Sequence, residues 1–117
     1  MSPTILEKDG ELFMVVGTPG GSTIPTSVFQ TIINVVEFDM GMQQAVDEPR
    51  FHSQWKPDLI SYEKSFSNKR LFEDLRKKGH RLTERGSIGK VDAILVREDG
   101  TLEAGADSRG MDSAAGF

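Results

Sequence analysis

Apolar residues run along this chain in short stretches cut by glycine, proline and acidic residues, and the cuts predict its elements. Thr4 to Glu7 and Glu11 to Gly17 flank Lys8-Asp9-Gly10, and an Asp-Gly pair between β-prone runs predicts a hairpin. Its second arm, Leu12-Phe13-Met14-Val15-Val16, is continuously apolar, as expected of a strand covered on both faces. From Ser22 to Met40 the apolar residues Val28, Phe29, Ile32, Ile33, Val35 and Val36 recur at helical spacing. Ser27, Gln30, Thr31, Asn34 and Glu37 fall on the other side, so a broadly buried helix is expected. Pro25 fits its first turn and Gly41 its stop. Gln43 to Asp47 predicts a short helix ended by Pro49.

Arg50 to Pro57 is polar and aromatic without clear periodicity and is expected to be an ordered connecting loop, leading into a short strand, Leu59 to Tyr62. Ser67 then reads as an N-cap, with Phe66 and Leu71 placed as a hydrophobic staple. Leu71, Phe72 and Leu75 make the inward stripe, Lys77 and Lys78 suit the helix end, and Gly79 caps it. A short strand over His80 to Thr83 and a turn over Arg85 to Gly89 follow. A second hairpin pairs Val91 to Arg97 with Thr101 to Ala106 around Asp99-Gly100, and the tail from Ser108 to Phe117 is expected to be irregular. The order predicts an α+β chain, a single domain over residues 1–117.

Composition narrows the functions. A chain of 117 residues can bury about two-thirds of the surface it exposes unfolded, enough for one core. With 27% charged and 37% apolar residues and a net charge of −4, it reads as a soluble globular protein without a basic face for nucleic acid. No apolar run approaches the roughly 20 residues of a membrane span, and no signal peptide is expected ahead of the strand-like start. The absence of cysteine excludes disulfides and thiol nucleophiles.

Candidate chemistry centres on Val15-Val16-Gly17-Thr18-Pro19-Gly20-Gly21-Ser22, a strand running into a helix through bare backbone. Helix-initial N–H groups lack intrahelical partners and the dipole adds partial positive charge there. Gly20 and Gly21 bring no side chains to block an anion, so the turn suits a phosphate or an acyl-transfer oxyanion. On local sequence alone, a tight turn that lets strand and helix pack closely is the simpler reading. No Gly-Lys-Ser/Thr follows Gly21, which weakens the phosphate reading.

Elsewhere the chemistry is sparse. His52 and His80 are the only imidazoles; His52 reads as a loop histidine satisfying backbone groups rather than a ligand contact and His80 as structural or exposed, and no pair has metal-ligand spacing, so neither metal nor cofactor is expected. Asp47, Glu48 and Asp99 read as surface charges and Ser22 as a helix cap. Asp107 and Arg109 read as a local ion pair tying down the tail rather than a clamp for a ligand carboxylate.

Met1-Ser2-Pro3-Thr4-Ile5, Lys8-Asp9-Gly10, Gly17-Thr18-Pro19-Gly20-Gly21-Ser22 and Pro49-Arg50-Phe51-His52-Ser53-Gln54-Trp55 with Pro57, in this order, resemble the γ-glutamyltranspeptidase family. Asp107-Ser108-Arg109 with Gly116-Phe117 resembles its C-terminal end, although Ser108 stands where the family often has proline and Gly89-Lys90-Val91-Asp92 is a loose match. The resemblance implies an N-terminal-nucleophile hydrolase, a four-layer αββα sandwich of which this chain would hold one sheet portion with covering helices. In that family a threonine exposed by self-cleavage attacks the γ-amide of glutathione or another γ-glutamyl compound, with its own amine as base, and the acyl group passes to water or an acceptor amine. Gly20 and Gly21 would supply the oxyanion amides.

None of Thr4, Thr18, Thr23 or Thr26 matches the nucleophile's motif, and the family's substrate-gripping serine pair precedes the point where this sequence starts. The resemblance therefore implies the C-terminal part of a small subunit, inactive alone, taking γ-glutamyl substrate only with an upstream part. Association with a complementary chain or with itself is expected, and the family implies a periplasmic or extracellular place. A catalytically silent association module is the alternative.

Overall fold

The computed structural model describes Met1 and residues 3–116; Ser2 and Phe117, at the two ends of the family resemblance, lie outside the described residues. In chain order the elements are β1 (Thr4–Lys8), β2 (Glu11–Gly17), a 3-10 turn (Gly21–Thr23), α1 (Ile24–Val36), α2 (Met42–Asp47) and β3 (Phe51–Gln54). β4 (Leu59–Glu63), α3 (Lys69–Lys77), β5 (Leu82–Arg85), β6 (Asp92–Val96) and β7 (Leu102–Ala106) follow. They form two compact units, Met1–Glu48 with Gly89–Phe117, and Pro49–Ile88.

The first unit is an antiparallel sheet in the order β1-β2-β6-β7 with both longer-range helices on one face. Asp9 and Gly10 both take positive φ, 56° and 84°, which is the turn geometry that matches strand twist. Met14 pairs with Leu95 and Val16 with Ala93, so the buried sets of β2 and β6 share a face. Val28 and Val35 of α1 and Met42, Ala45 and Val46 of α2 close over them. Burying a side chain the size of Met42 or Val46 completely contributes about 1.5–3 kcal/mol of transfer free energy.

Among the described residues strand β2 is covered on one face only, where cover on both was expected. Val15 lies opposite Ile5 on one side and Ile94 on the other, and Ile94 opposite Ala104. That face is open: Ile5 is 66% exposed and Ile94 43%. The continuous apolar run thus encodes one closed face and one unclosed apolar ladder.

Helix α1 also departs from its expected span and face. It begins after the 3-10 turn and ends at Val36, where Asp39 takes a left-handed conformation and Met40 N donates to Asn34 O. Ser27 and Thr31 are fully buried, whereas Phe29 and Val36 are exposed. Small side chains let the helix approach its neighbours, and Thr31 Oγ1 satisfies itself on Ser27 O at 3.0 Å.

Gly41 starts α2 rather than stopping α1. The six-residue α2 is held at both ends. Glu103 Oε1 accepts from Met42 N at 2.6 Å, and Arg109 donates to the carbonyls of Val46 and Glu48 at 2.9 and 2.8 Å. An acid at the N-terminus and a guanidinium at the C-terminus both oppose the helix dipole favourably.

In the second unit β3 pairs antiparallel with β4 and β4 parallel with β5, α3 making the crossover. The expected loop after Arg50 is therefore partly strand. Its alternation was masked because the inward residue is polar, His52, and the outward one is Phe51. Arg50 and Glu63 are both buried: Glu63 accepts from Arg50 N at 2.8 Å and Ile88 N at 2.7 Å, and Arg50 Nη1 donates to Ile88 O.

Asn68, not Ser67, caps α3, its Oδ1 accepting from Leu71 N at 3.0 Å. The cap moves by one residue, so Phe66 stacks on Phe72 at 5.8 Å instead of stapling Leu71, which is exposed. At the other end Gly79 has φ 90°, Gly79 N donates to Arg76 O and His80 N to Leu75 O, a Schellman closure at the glycine expected to cap it.

Candidate active site

Strand β2 delivers the chain into the glycine turn through Thr18, which is fully buried. Its hydroxyl donates to Pro19 O at 2.7 Å and accepts from Lys90 N at 2.8 Å. Gly20 follows with φ 144° and Gly21 with φ 59°, conformations that a side chain would strain. A Cβ on Gly20 would lie 2.6 Å from Thr23 Oγ1, so glycine is required there on space as well as on dihedral. Gly20 O accepts from Thr23 N at 3.2 Å and Thr23 Oγ1 at 3.0 Å.

The N–H groups of Gly20 and Gly21 donate to no acceptor among the described residues, and both glycines are exposed. Two adjacent amides, at the start of the 3-10 turn that leads into the 13-residue helix α1, are thus without a partner among the described residues. Such an arrangement can stabilise a negatively charged oxygen.

Ser22 lies inside the 3-10 turn and caps nothing; Gly20 and Thr23 occupy the two cap positions without side-chain bonds. Thr23 turns inward to Gly20 O instead. Behind the turn, Gly89 takes φ 71°, and a Cβ there would meet Ser27 Oγ at 2.8 Å and Thr18 Oγ1 at 3.0 Å. Ser27 Oγ is the buried side-chain atom left without a hydrogen bond among the described residues.

The remaining candidates make local contacts or lie exposed. His52 is buried with Nε2 2.8 Å from Gln54 Oε1, and His80 is exposed past the α3 cap. Asp107 Oδ1 accepts from Arg109 Nη1 at 2.9 Å and Oδ2 from Val91 N at 2.7 Å, the expected ion pair tying the tail. Asp47 does more than sit on the surface, since it accepts from Gln43 Nε2 and Ser108 N. Its burial would raise its pKa, but those hydrogen bonds outweigh burial and hold it below the ordinary value. Asp92 moves the other way, raised first by burial and then by Asp112 and Asp107. Asp99 is lowered by accepting from the Thr101 hydroxyl and N–H in the second hairpin turn.

The turn can be set beside proteins of known kind. The gamma-glutamyltranspeptidase family model matches residues 1–117. This chain belongs to that family. It is 40% identical over 118 residues to a glutathione hydrolase proenzyme of Escherichia coli, and 39% over 119 residues to one of Bacillus subtilis subsp. natto. Each match takes in all of this chain and 20% of the relative. The gamma-glutamyltranspeptidase of Pseudomonas nitroreducens, solved with L-DON, matches with a TM-score of 0.88 and 36% identity. That match covers 100% of this chain and 62% of the other, and carries the α+β fold of the N-terminal-nucleophile gamma-glutamyltranspeptidases. The chain thus spans a fifth of the curated relatives' length and under two-thirds of the solved one.

Sequence reasoning placed Thr18 in the turn stretch but missed the hydroxyls of Thr18 and Thr23 as partners of the turn's carbonyls, having weighed those side chains only as nucleophiles. The signal available was their spacing: each stands within three residues of Gly20, close enough for a hydroxyl to reach a carbonyl of the turn.

Proposed function

We propose that residues 1–117 act as one domain, the C-terminal part of the small subunit of a γ-glutamyltransferase or hydrolase acting on glutathione and related γ-glutamyl compounds. In this reading the chain contributes the oxyanion site and no nucleophile. The observation that carries it is that Gly20 and Gly21, both exposed at the strand-to-helix junction, have N–H groups that donate to no acceptor among the described residues. When a nucleophile attacks the γ-carbonyl, negative charge develops on its oxygen, and two preorganised amides stabilise that oxygen more than the neutral carbonyl. The collapse of the adduct expels the amine, and water or an acceptor amine resolves the γ-glutamyl ester.

The rest of the site comes from a complementary segment. Support lies in the one-fifth coverage of the relatives and in the open Ile5, Val15, Ile94 ladder, an apolar face of the kind that pairs with another layer.

The test is chromophore release from a γ-glutamyl anilide, by the chain alone and co-expressed with a complementary segment bearing an N-terminal threonine. Silence alone, turnover with the segment and loss of turnover on Gly21→Val would support the reading. Activity in the isolated chain would overturn it, because a nucleophile would then be present. Turnover unaffected by Gly20 or Gly21 substitution would reduce the chain to an association module.

A further inference from the structure

We infer that Thr18 and Thr23 are positioning residues for acyl transfer, each fixing one of the two peptide planes whose N–H groups form the oxyanion site. The inference rests on the oxyanion role proposed above.

A peptide unit is planar, and in the trans form its C=O and N–H point in opposite directions. The peptide bonds of the turn are trans. Fixing a carbonyl therefore fixes the direction of the next residue's N–H. Pro19 O is held by the Thr18 hydroxyl at 2.7 Å, and the N–H on the far side of that plane belongs to Gly20. Gly20 O is held by Thr23 Oγ1 at 3.0 Å and Thr23 N at 3.2 Å, and the N–H on the far side of that plane belongs to Gly21. Two threonines thus aim two amides.

Neither threonine is free to drift. Thr18 is fully buried and Thr23 4% exposed. A hydroxyl has one proton to give, and Thr18 gives it to Pro19 O; its lone pair accepts from Lys90 N at 2.8 Å, which anchors it to the segment leading into β6. Gly89 closes against the same oxygen from behind, with no space for a side chain between Thr18 and Ser27. The glycines permit the turn, and the hydroxyls select one orientation of it. Neither threonine's oxygen is offered to substrate, which separates this role from that of a nucleophile.

The experiment is steady-state γ-glutamyl anilide kinetics on the complemented enzyme, with amide NMR of the 117-residue chain. Thr18→Val and Thr23→Val remove the hydroxyl and keep the volume. Each is expected to lower kcat about tenfold to a hundredfold, the scale of a misaligned catalytic group, with KM within about twofold. Thr18→Ser and Thr23→Ser should recover most of kcat. The Gly20 resonance should move in Thr18→Val and the Gly21 resonance in Thr23→Val. Thr18→Ala stands in if the valine variant does not fold. Unchanged kcat with unmoved Gly20 and Gly21 signals, while Gly21→Val abolishes turnover, overturns the positioning role alone. Unchanged kcat in Gly21→Val overturns the oxyanion reading beneath it.

Discussion

Arg109 Nη1 lies 2.9 Å from Asp107 Oδ1, and the same guanidinium reaches the C-terminal carbonyls of α2. The pair is buried, with side-chain exposures of 10% and 0%. Removing one partner leaves the other charge and its hydrogen bonds uncompensated. Asp107→Ala also orphans Val91 N. It should cost about 3–5 kcal/mol in urea unfolding of the chain. Arg109→Lys should recover only part of the loss of Arg109→Ala, because an ammonium cannot fork between the carboxylate and several carbonyls.

Asp47 gives the first unit an acid-sensitive tie. Its pKa is depressed by hydrogen bonds from Gln43 and Ser108 that overcome burial. A depressed folded-state pKa contributes stability that is present above the unfolded carboxylate value and is lost as pH falls through the folded one. Asp47→Asn should therefore lower the thermal midpoint at pH 7, and the gap from wild type should shrink as the buffer is taken down through the carboxylate range. Asp92 has the opposite sign: its raised pKa makes the ionised form unfavourable, so Asp92→Asn should raise the midpoint at neutral pH and lose that advantage in acid.

The cap of α3 separates two adjacent residues. Asn68→Ala removes the acceptor for Leu71 N and should destabilise by about 0.5–2 kcal/mol. Ser67→Ala, one residue earlier, should stay within about 0.5 kcal/mol. Circular dichroism through a denaturant series checks both. Equal losses would place the helix start back at Ser67.

The contrast at that cap illustrates what the residues alone convey. Both hairpins were legible because Asp9-Gly10 and Asp99-Gly100 carry their turn geometry locally, and Gly79 ended α3 as its φ preference demands. The strand-to-helix turn of bare backbone singled out Gly20 and Gly21, and the family resemblance implied an oxyanion role for them. Illegible were the features decided by distant partners: Glu103 capping α2 from β7, Ser27 and Thr31 buried by close approach, β3 with its inward His52. A polar residue carries no mark of whether a partner far along the chain will satisfy it. The hydroxyls of Thr18 and Thr23 on the carbonyls of the glycine turn stand between the two kinds, local in sequence but carried by residues that sequence reading treats as generic.

The open ladder of the first sheet yields a prediction that separates association from folding. Ile94 is 43% exposed, between Val15 and Ala104 on the face the helices leave uncovered. Ile94→Ser removes apolar surface there without opening the Met14, Val16, Leu95 core. Its effect on the isolated chain should be within about 1 kcal/mol in urea, as for partly exposed positions. If a complementary segment covers this face, burying the part of the isoleucine still exposed contributes about 0.6–1.3 kcal/mol to association, a weakening of about threefold to tenfold in the variant. Co-purification of the complementary segment with wild type and with Ile94→Ser, read as a dissociation constant, checks it. Equal affinity would mean that the segment docks elsewhere, and that β-edge pairing or the exposed Phe29 and Val36 of α1 carries the association instead.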